Sequence, residues 1–79
     1  EQWKEIRKRT EEDFDHPVFL FAYASLDDHS MIENLAVRFN VFVRERLREI
    51  QDYRANHLWQ LEKAKYVFLS DNFVHLLVY

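Results

Sequence analysis

Neither glycine nor cysteine occurs among the 79 residues, and proline occurs once, at Pro17. Without cysteine the chain has no disulfide and no thiolate metal ligand. Without glycine it cannot form the P-loop, the dinucleotide-binding fingerprint or the Gly-x-Ser-x-Gly nucleophile elbow, because each depends on backbone that only glycine supplies. The EF-hand loop and the RNA-binding KH and RRM signatures are excluded for the same reason.

Charge and hydropathy exclude further classes. The net charge is −3 with 32% charged residues, which argues neither for a polyanion-binding protein nor for an acidic mimic. The longest apolar run, Val18–Ala24, is far shorter than the roughly 20 residues that a membrane helix needs. The N-terminus has no basic-then-apolar signal pattern. We therefore predict no membrane span and a cytoplasmic location.

The composition is that of one small folded unit. Hydrophobic residues make up 48% and aromatic residues 16%, which is enough to bury a core. A core of this size usually supplies only about 3–5 kcal/mol unless something else stabilises it. We expect residues 1–79 to form a single small domain that depends on packing or on association.

The first segment predicts a surface helix over Gln2–Phe14. Its apolar face is formed by four residues at spacings of three and four, namely Trp3, Ile6, Thr10 and Phe14. Such spacing places apolar side chains on one narrow helical face. We expect the helix to end near Phe14.

The segment Asp15–Leu26 is compatible with a helix or a strand. Asp15 is suited to cap a helix whose first turn contains Pro17, and two alanines follow. Bulky residues between 18 and 23 favour a buried strand instead, and periodicity does not distinguish the two in so uniform a run. We predict a helix, with a strand over 18–24 as the alternative.

One long amphipathic helix is predicted over residues 30–68. Ser30 and Glu33 have the spacing of a capping box at its start. Positions at alternating spacings of three and four residues then form a heptad-like seam. The seam comprises Ala36, Phe39, Val43, Leu47, Ile50, Arg54, His57, Leu61, Ala64 and Phe68.

The length of this helix leads to a prediction of association. Thirty-nine helical residues would span about 58 Å at a rise of ~1.5 Å per residue, whereas a compact chain of this size is only about 30 Å across. Either the helix breaks between Asp52 and Asn56, or its overhang packs on another chain. We predict the second: a mostly α-helical domain that forms a helical bundle or a coiled-coil-like dimer.

The C-terminal residues leave an alternative fold open. Residues 66–69 and 73–79 could pair as a hairpin around Ser70, Asp71 and Asn72, which are good turn residues. Equally, Ser70 or Asp71 could cap a short terminal helix. If residues 18–24 also form a strand, the fold is α+β, with a three-stranded sheet packed on the long helix.

The fold leads to a functional prediction without catalysis. We predict a protein–protein interaction or assembly module, an adaptor or regulatory subunit, that self-associates through the long helix as a homo-oligomer or binds a protein partner. The predicted interface comprises Phe39, Val43, Leu47, Ile50, His57, Leu61 and Phe68. We predict no catalytic residue, no cofactor and no metal site. For a metal, the four histidines lack the spacing that presents two ligands on one helix face.

Two other functions remain as alternatives. A nucleic-acid-binding regulator could use the Arg44/Arg48 face or the basic first helix, although interleaved acidic residues weaken both. A small enzyme is the third possibility. It would need a cleft that gathers His57, or the group from Asp13 to His16, with further titratable side chains.

Overall fold

The structure is a computed structural model that describes residues 2–50 and 55–79. Three helices and four strands alternate irregularly along these residues. In chain order they are α1 (Gln2–Phe14), β1 (Phe19–Ser25), α2 (His29–Phe39), α3 (Val43–Arg48), β2 (His57–Gln60), β3 (Lys65–Ser70) and β4 (Phe73–Val78). The fold is therefore α+β.

The four strands form one antiparallel sheet in the order β1-β4-β3-β2. Strands β2, β3 and β4 follow one another as neighbouring hairpins, and β1 joins the sheet beside β4. This order leaves β1 and β2 at the two edges. The pairing of β1 with β4 skips Phe21, since Leu20 faces Leu77 and Ala22 faces Leu76. Phe21 therefore forms a β-bulge.

Both faces of the sheet are covered by helices. Successive strand residues point to opposite faces, and in β3 Tyr66 and Phe68 pack with α1, whereas Val67 and Leu69 pack with α2 and α3. The α1 core comprises Ile6, Val18, Tyr66, Phe68 and Leu77. The α2–α3 core comprises Ala24, Ile32, Leu35, Phe39, Val43, Leu47, Ile50, Val67, Leu69, Val74 and Leu76.

The predicted helix over residues 30–68 is wrong, and with it the mostly α-helical fold, the helical bundle and the coiled coil. Helix α2 ends at Phe39 because Asn40 adopts the left-handed conformation, with φ 57° and ψ 47°. The Asn40 N–H closes the helix by bonding to the carbonyls of Ala36 and Val37. The described residues measure only 31 × 25 × 23 Å.

The seam misled the prediction because its spacing continues through the break. Phe39, Val43 and Leu47 all lie in the α2–α3 core, although they belong to two short helices. Farther along, residues at the same spacing lie in strands, where a spacing of three and four residues does not indicate a shared face. The predicted alternative break began at Asp52, and residues 51–54 lie outside the described part of the chain.

The start of α2 also differs from the predicted capping box. The helix begins at His29, and Oδ1 of Asp28 accepts a hydrogen bond of 3.0 Å from the N–H of Met31. Asp28 is held in place by the preceding turn, in which its own N–H bonds to the carbonyl of Ser25 at 3.0 Å. A good capping residue two positions earlier therefore takes the role predicted for Ser30.

Two local predictions can be compared directly. The helix over Gln2–Phe14 is confirmed, whereas the predicted helix within Asp15–Leu26 is wrong, because strand β1 occupies it. The three strands of the alternative fold, over residues 18–24, 66–69 and 73–79, overlap β1, β3 and β4, with residues 18 and 79 outside them. That alternative still fails as a whole, since it kept the long helix and lacked β2.

The chain makes its turns without glycine. Five residues in the described part have positive φ, namely Asp15, Asn40, Lys63, Ala64 and Asp71. Aspartate and asparagine visit this conformation more readily than other non-glycine residues. The turn between β2 and β3 uses Lys63 and Ala64 instead, with φ values of 57° and 59°, so it carries backbone strain.

Candidate functional site

The outer edge of β1 is the most unusual surface in the described residues. Phe19, Phe21 and Tyr23 are 52%, 43% and 58% exposed, and the strand contains no charged residue and no proline. No described strand pairs with its outer side. Proteins usually protect such an edge with charges, proline or a bulge, and β1 has only the bulge at Phe21. We call the outer side of residues 19–25 the β1 edge.

Opposite charges flank the two ends of the β1 edge. The guanidinium of Arg7 lies 5.6 Å from the ring centre of Phe19, and that of Arg38 lies 5.8 Å from that of Phe21. Both distances are within the range of a cation–π contact. After the last strand residue come Asp27 and Asp28, both exposed. The strand is therefore basic beside its first half and acidic beyond its end.

A second surface, which we call the aromatic cleft, opens on the α1 side of the sheet. Its volume is about 320 Å³, and its lining residues are Trp3, Leu20, Tyr23, Phe73 and His75. The rings of Tyr23 and His75 lie 6.1 Å apart at 26°, and those of Tyr23 and Phe73 lie 6.1 Å apart at 61°. None of the five carries a fixed charge, so the cleft offers flat apolar surfaces and one imidazole.

His75 is the least expected member of the cleft. Its side chain is 6% exposed, and its Nδ1 has no hydrogen-bond partner among the described residues. Burial lowers the pKa of the ring below its ordinary value, and a hydrogen bond to the backbone of Phe68 opposes that change. A neutral imidazole has one donor and one acceptor nitrogen. Nδ1 is itself buried, so it is an unpaired polar atom inside the protein and is not open to a ligand in the cleft.

A second polar cluster lies where α1 meets β3. The hydroxyl of the buried Tyr66 is 2.9 Å from Nε2 of His16, and the His16 ring lies 4.1 Å from that of Tyr79 at an angle of 47°. Burial, and then the nearby Tyr79, raise the pKa of Tyr66. No carboxylate or serine joins this group in the hydrogen bonds described, so the geometry favours a structural role over catalysis.

A cavity of about 630 Å³ lies between α3 and the turn from β2 to β3. Its charged lining residues, Glu45, Arg46, Glu49 and Glu62, are all exposed, and Arg46 forms an ion pair of 3.4 Å with Glu49. Exposed charges of mixed sign bind ligands weakly. We assign no site there.

The predicted interface residues do not form one surface. Phe39, Val43, Leu47 and Ile50 are buried in the α2–α3 core, and Leu61 packs against it half-buried. Phe68 is buried on the opposite side of the sheet, in the α1 core. His57 is exposed at the start of β2, with its ring 5.2 Å from that of Trp59. A partner could contact five of the seven only if the core opened, so an interface through them stays a prediction that nothing here tests.

The predicted phosphate-binding surfaces are partly neutralised. Arg44 forms an ion pair of 3.1 Å with Glu33, and on α1 Arg7 pairs with Glu11 at 2.9 Å. No group of three histidine or acidic side chains converges within residues 2–50 and 55–79. None of the described helices has the length and hydropathy to cross a bilayer.

Comparison with known proteins adds no functional information. Neither a family model, nor a curated protein, nor a solved structure matches this chain. Function must therefore be argued from the surfaces described above.

Sequence reasoning missed both of these surfaces. The β1 edge was hidden by the prediction of a helix within Asp15–Leu26. The aromatic cleft was hidden because its residues are distant in sequence and meet only when α1, β1 and β4 come together. One signal was available: His75 lies between Val74 and Leu76 in an apolar run, where a polar residue is unexpected.

Proposed function

We propose that this chain is a non-enzymatic assembly module that pairs with a second copy of itself through the β1 edge. The observation that carries the proposal is the exposure of Phe19, Phe21 and Tyr23 on an uncharged, unpaired edge strand. Strand addition at such an edge satisfies free backbone groups and buries the aromatic side chains at the same time. Because the strand carries no charge, two copies can approach without repulsion along it.

Charge complementarity supports an antiparallel pair. The two ends of β1 are about 20 Å apart at ~3.3 Å per residue, which exceeds the Debye length of about 8 Å at physiological salt. The arginines and aspartates of one chain therefore neutralise each other poorly. In an antiparallel pair centred on Tyr23, the Phe19 end of one copy lies beside Asp27 of the other. Arg38, together with Arg7, which is paired with Glu11 in its own chain, then approaches acidic groups at both ends.

Association would also offset the small size of the domain. A folded unit of this length has a limited core, and binding a second copy stabilises the folded state by mass action. The bulge at Phe21 leaves Ala22–Ser25 as the regular part of the strand, so aromatic contacts must supplement a short ladder. An adaptor or regulatory role and a cytoplasmic location remain expectations attached to this proposal.

Solution mass tests the proposal directly. We expect sedimentation equilibrium at high micromolar concentration to give twice the chain mass of 9.8 kDa. Phe21→Lys places a charge on the edge and should give a folded monomer. Val37→Lys is the matched control, because Val37 is 79% exposed on α2, away from β1, and it should remain dimeric. A monomeric wild type, or a dimeric Phe21→Lys variant, would show that β1 is not the interface.

A charge reversal tests the antiparallel arrangement. The variant Arg7→Glu/Arg38→Glu should dimerise more weakly than the wild type because like charges meet at both ends, and the variant Asp27→Lys because the attraction of Asp27 is lost. An equimolar mixture should restore the dimer, since a copy that is acidic at both ends then faces a copy that keeps both arginines and has lost Asp27. Equal association of the separate and the mixed variants would rule out the antiparallel pair.

A second candidate is nucleic-acid binding by the first helix. Lys4, Lys8 and Arg9 are exposed on α1, and the Arg9 guanidinium lies 5.8 Å from the Phe68 ring. Phe68 is buried, so the exposed charges of α1 would have to supply the contacts, to phosphate groups. Fluorescence anisotropy with single-stranded and duplex oligonucleotides at low salt tests it. Binding should weaken in Lys4→Glu/Lys8→Glu and at higher salt; no binding at low salt would eliminate this candidate.

A further inference from the structure

His75 belongs to a row of directly paired residues that crosses the sheet on its α1 side. In the strand register, Phe68 of β3 pairs with His75 of β4, and His75 pairs with Tyr23 of β1. Directly paired residues of neighbouring antiparallel strands lie on the same face of the sheet. The His75 ring lies 6.2 Å from that of Phe68 and 6.1 Å from that of Tyr23. His75 therefore has an aromatic ring on each side of it.

Tyr23 forms the outer end of this row. No described strand lies beyond β1, and Tyr23 is 58% exposed, whereas Phe68 is 3% exposed. Exposed side chains change rotamer within nanoseconds, and a close-packed core restricts such changes. Of the two rings beside His75, Tyr23 is therefore the one that can turn aside and admit water.

A proton on His75 requires such an opening. The residue is 6% exposed, and its Nδ1 has no hydrogen-bond partner among the described residues. A charged imidazole is a donor at both ring nitrogens, and a buried charge without partners is strongly unfavourable. Water must therefore reach the protonated ring, and the exposed side of the row is at Tyr23.

The groups that face His75 provide no counter-charge. They are the phenol of Tyr23 from β1, the rings of Phe68 from β3 and Phe73 from β4, and Trp3 from α1. Aromatic rings attract a cation, but burial is the larger influence and lowers the pKa of His75. The charged side chains described nearby share a separate cavity with Phe68 and are exposed, namely Glu5, Arg9 and Asp71.

The proposed dimer holds the Tyr23 ring in place. In an antiparallel pair centred on Tyr23, the Tyr23 side chains of the two copies lie opposite each other on the same face, with Cβ atoms about 4.5–5.5 Å apart. The row then continues into the second copy through its own Tyr23 and His75. Each Tyr23 is flanked on both sides, so it turns aside only by losing its contact with the second copy.

We propose that acid dissociates the β1 dimer through His75, because a proton on His75 and a second copy on the β1 edge require different positions of the Tyr23 ring. This inference rests on the dimer proposed above and adds its regulation. Proton binding and association are reciprocally linked, so the dimer binds the His75 proton more weakly than the single folded chain does.

The direction of the pH dependence follows from this linkage. The pKa of His75 is below its ordinary value of 6.5 in the folded chain, and the dimer lowers it further. Association is therefore strongest above about pH 6.5 and weakens as the pH falls through the pKa of His75 in the single chain. The steepest dependence is about tenfold per pH unit for each of the two histidines in a dimer.

Sedimentation equilibrium from about pH 7.5 to about pH 5 tests the link, with circular dichroism at each pH to show that the chain is folded. The wild-type association constant should fall more than about tenfold over this range. His75→Phe keeps an uncharged ring in the row, and its association constant should change less than about twofold. His75→Leu is a second variant in case the larger ring disturbs the core. His29→Gln, which changes an exposed histidine, should respond to acid as the wild type does.

Nuclear magnetic resonance measures the same link through the proton. The ring signals of His75 should titrate at a higher pH in the monomeric variant Phe21→Lys than in the wild-type dimer. The new charge in this variant lies away from His75, because Phe21 contacts Phe39 on the α2–α3 side of the sheet.

The outcomes separate this inference from the dimer itself. A wild type that is monomeric at about pH 7.5, or a dimeric Phe21→Lys variant, would refute both. The role of His75 alone would be refuted by a wild-type dimer that keeps its affinity down to about pH 5 or persists until the chain unfolds. It would also be refuted if acid dissociated the His75→Phe dimer as readily as the wild type, or if His75 titrated at the same pH in the dimer and in the monomeric variant.

Discussion

The Tyr66 hydroxyl lies 2.9 Å from Nε2 of His16, a hydrogen bond between residues fifty positions apart. It connects the start of β3 to the turn between α1 and β1. The Tyr66 ring also lies 4.3 Å from that of Phe14, the last residue of α1. The three side chains therefore determine where the first helix ends and where the chain enters the sheet.

Removal of this hydrogen bond should reduce stability measurably. We expect Tyr66→Phe to lower the free energy of unfolding by about 0.5–1.5 kcal/mol, the usual net contribution of one hydrogen bond. Tyr79→Phe is the matched control, because Tyr79 is 62% exposed and contacts His16 through its ring. Urea unfolding followed by circular dichroism measures both. Equal effects of the two changes would show that the Tyr66 hydroxyl contributes nothing specific.

The buried His75 should make the fold sensitive to acid. Burial lowers the pKa of His75 from its usual 6.5 in the folded state, so the unfolded chain binds this proton first as pH falls. Stability is therefore complete above about pH 6.5 and is lost as pH falls towards and through the folded-state pKa. The surrounding side chains, Trp3, Leu20, Tyr23, Phe68 and Phe73, are aromatic or aliphatic.

Comparison of two histidine variants isolates this effect. His75→Phe should show a shallower loss of stability below pH 6.5 than the wild type, in urea unfolding measured at several pH values. His29→Gln changes an exposed histidine and should keep the wild-type slope. If His75→Phe lost stability with acid as steeply as the wild type, other groups would account for the acid sensitivity.

Features of the fold that are encoded within one segment could be predicted from the sequence, and features that depend on distant residues could not. Helix α1 could be predicted because its apolar spacing and its end near Phe14 are encoded within one segment. The end of α2 could not, because it depends on Asn40 adopting a left-handed conformation, and asparagine does so only in some contexts. The seam continued through that break, since Val43 and Leu47 of α3 pack on the same core as Phe39.

The candidate sites were harder to predict than the helices. Strand β1 is as compatible with a helix as with a strand until β4 is present to pair with it. The cleft depends on Trp3, Tyr23 and His75, which come from three elements, and no spacing in the sequence relates them. The apolar run around His75 could have indicated a buried imidazole, but not what surrounds it.

Glycine at position 64, in the strained turn between β2 and β3, should stabilise the fold. Ala64 has φ 59°, a conformation that costs a residue with a Cβ about 1–2 kcal/mol. Glycine removes that cost. It also gives the unfolded chain more conformational entropy, which lowers the free energy of unfolding by about 0.4–1 kcal/mol. We expect Ala64→Gly to raise the free energy of unfolding by about 0.5–1 kcal/mol. The same substitution within helix α2, Ala36→Gly, should lower it by about 1 kcal/mol.

Opposite signs for the two alanine variants are the decisive result in thermal or urea unfolding. The chemical change is identical, so a difference in sign reflects the surroundings: a left-handed backbone at Ala64, and a helical backbone that packs on the core at Ala36. If Ala64→Gly destabilised the chain as Ala36→Gly should, the left-handed conformation at Ala64 would cost less than the entropy that glycine adds.

The centre of the α2–α3 core provides the most severe test of the fold. Phe39 is 2% exposed, its ring lies 5.0 Å from that of Phe21, and its carbonyl accepts a hydrogen bond of 2.9 Å from Nζ of Lys65. Phe39→Ala should cost about 3–5 kcal/mol, because the removed ring leaves a cavity. That loss is comparable to the whole stability expected of so small a domain, so the variant should be largely unfolded by circular dichroism.

Phe42→Ala is the matched control for Phe39→Ala, only three residues away. Phe42 is 76% exposed at the start of α3, so truncation of its ring should change the free energy of unfolding by no more than about 0.5 kcal/mol. A single helix through residues 30–68 gives no such sharp contrast between two phenylalanines in its most apolar stretch. A folded Phe39→Ala variant, or an equally unfolded Phe42→Ala variant, would contradict the ending of α2 at Phe39 and the core built on it.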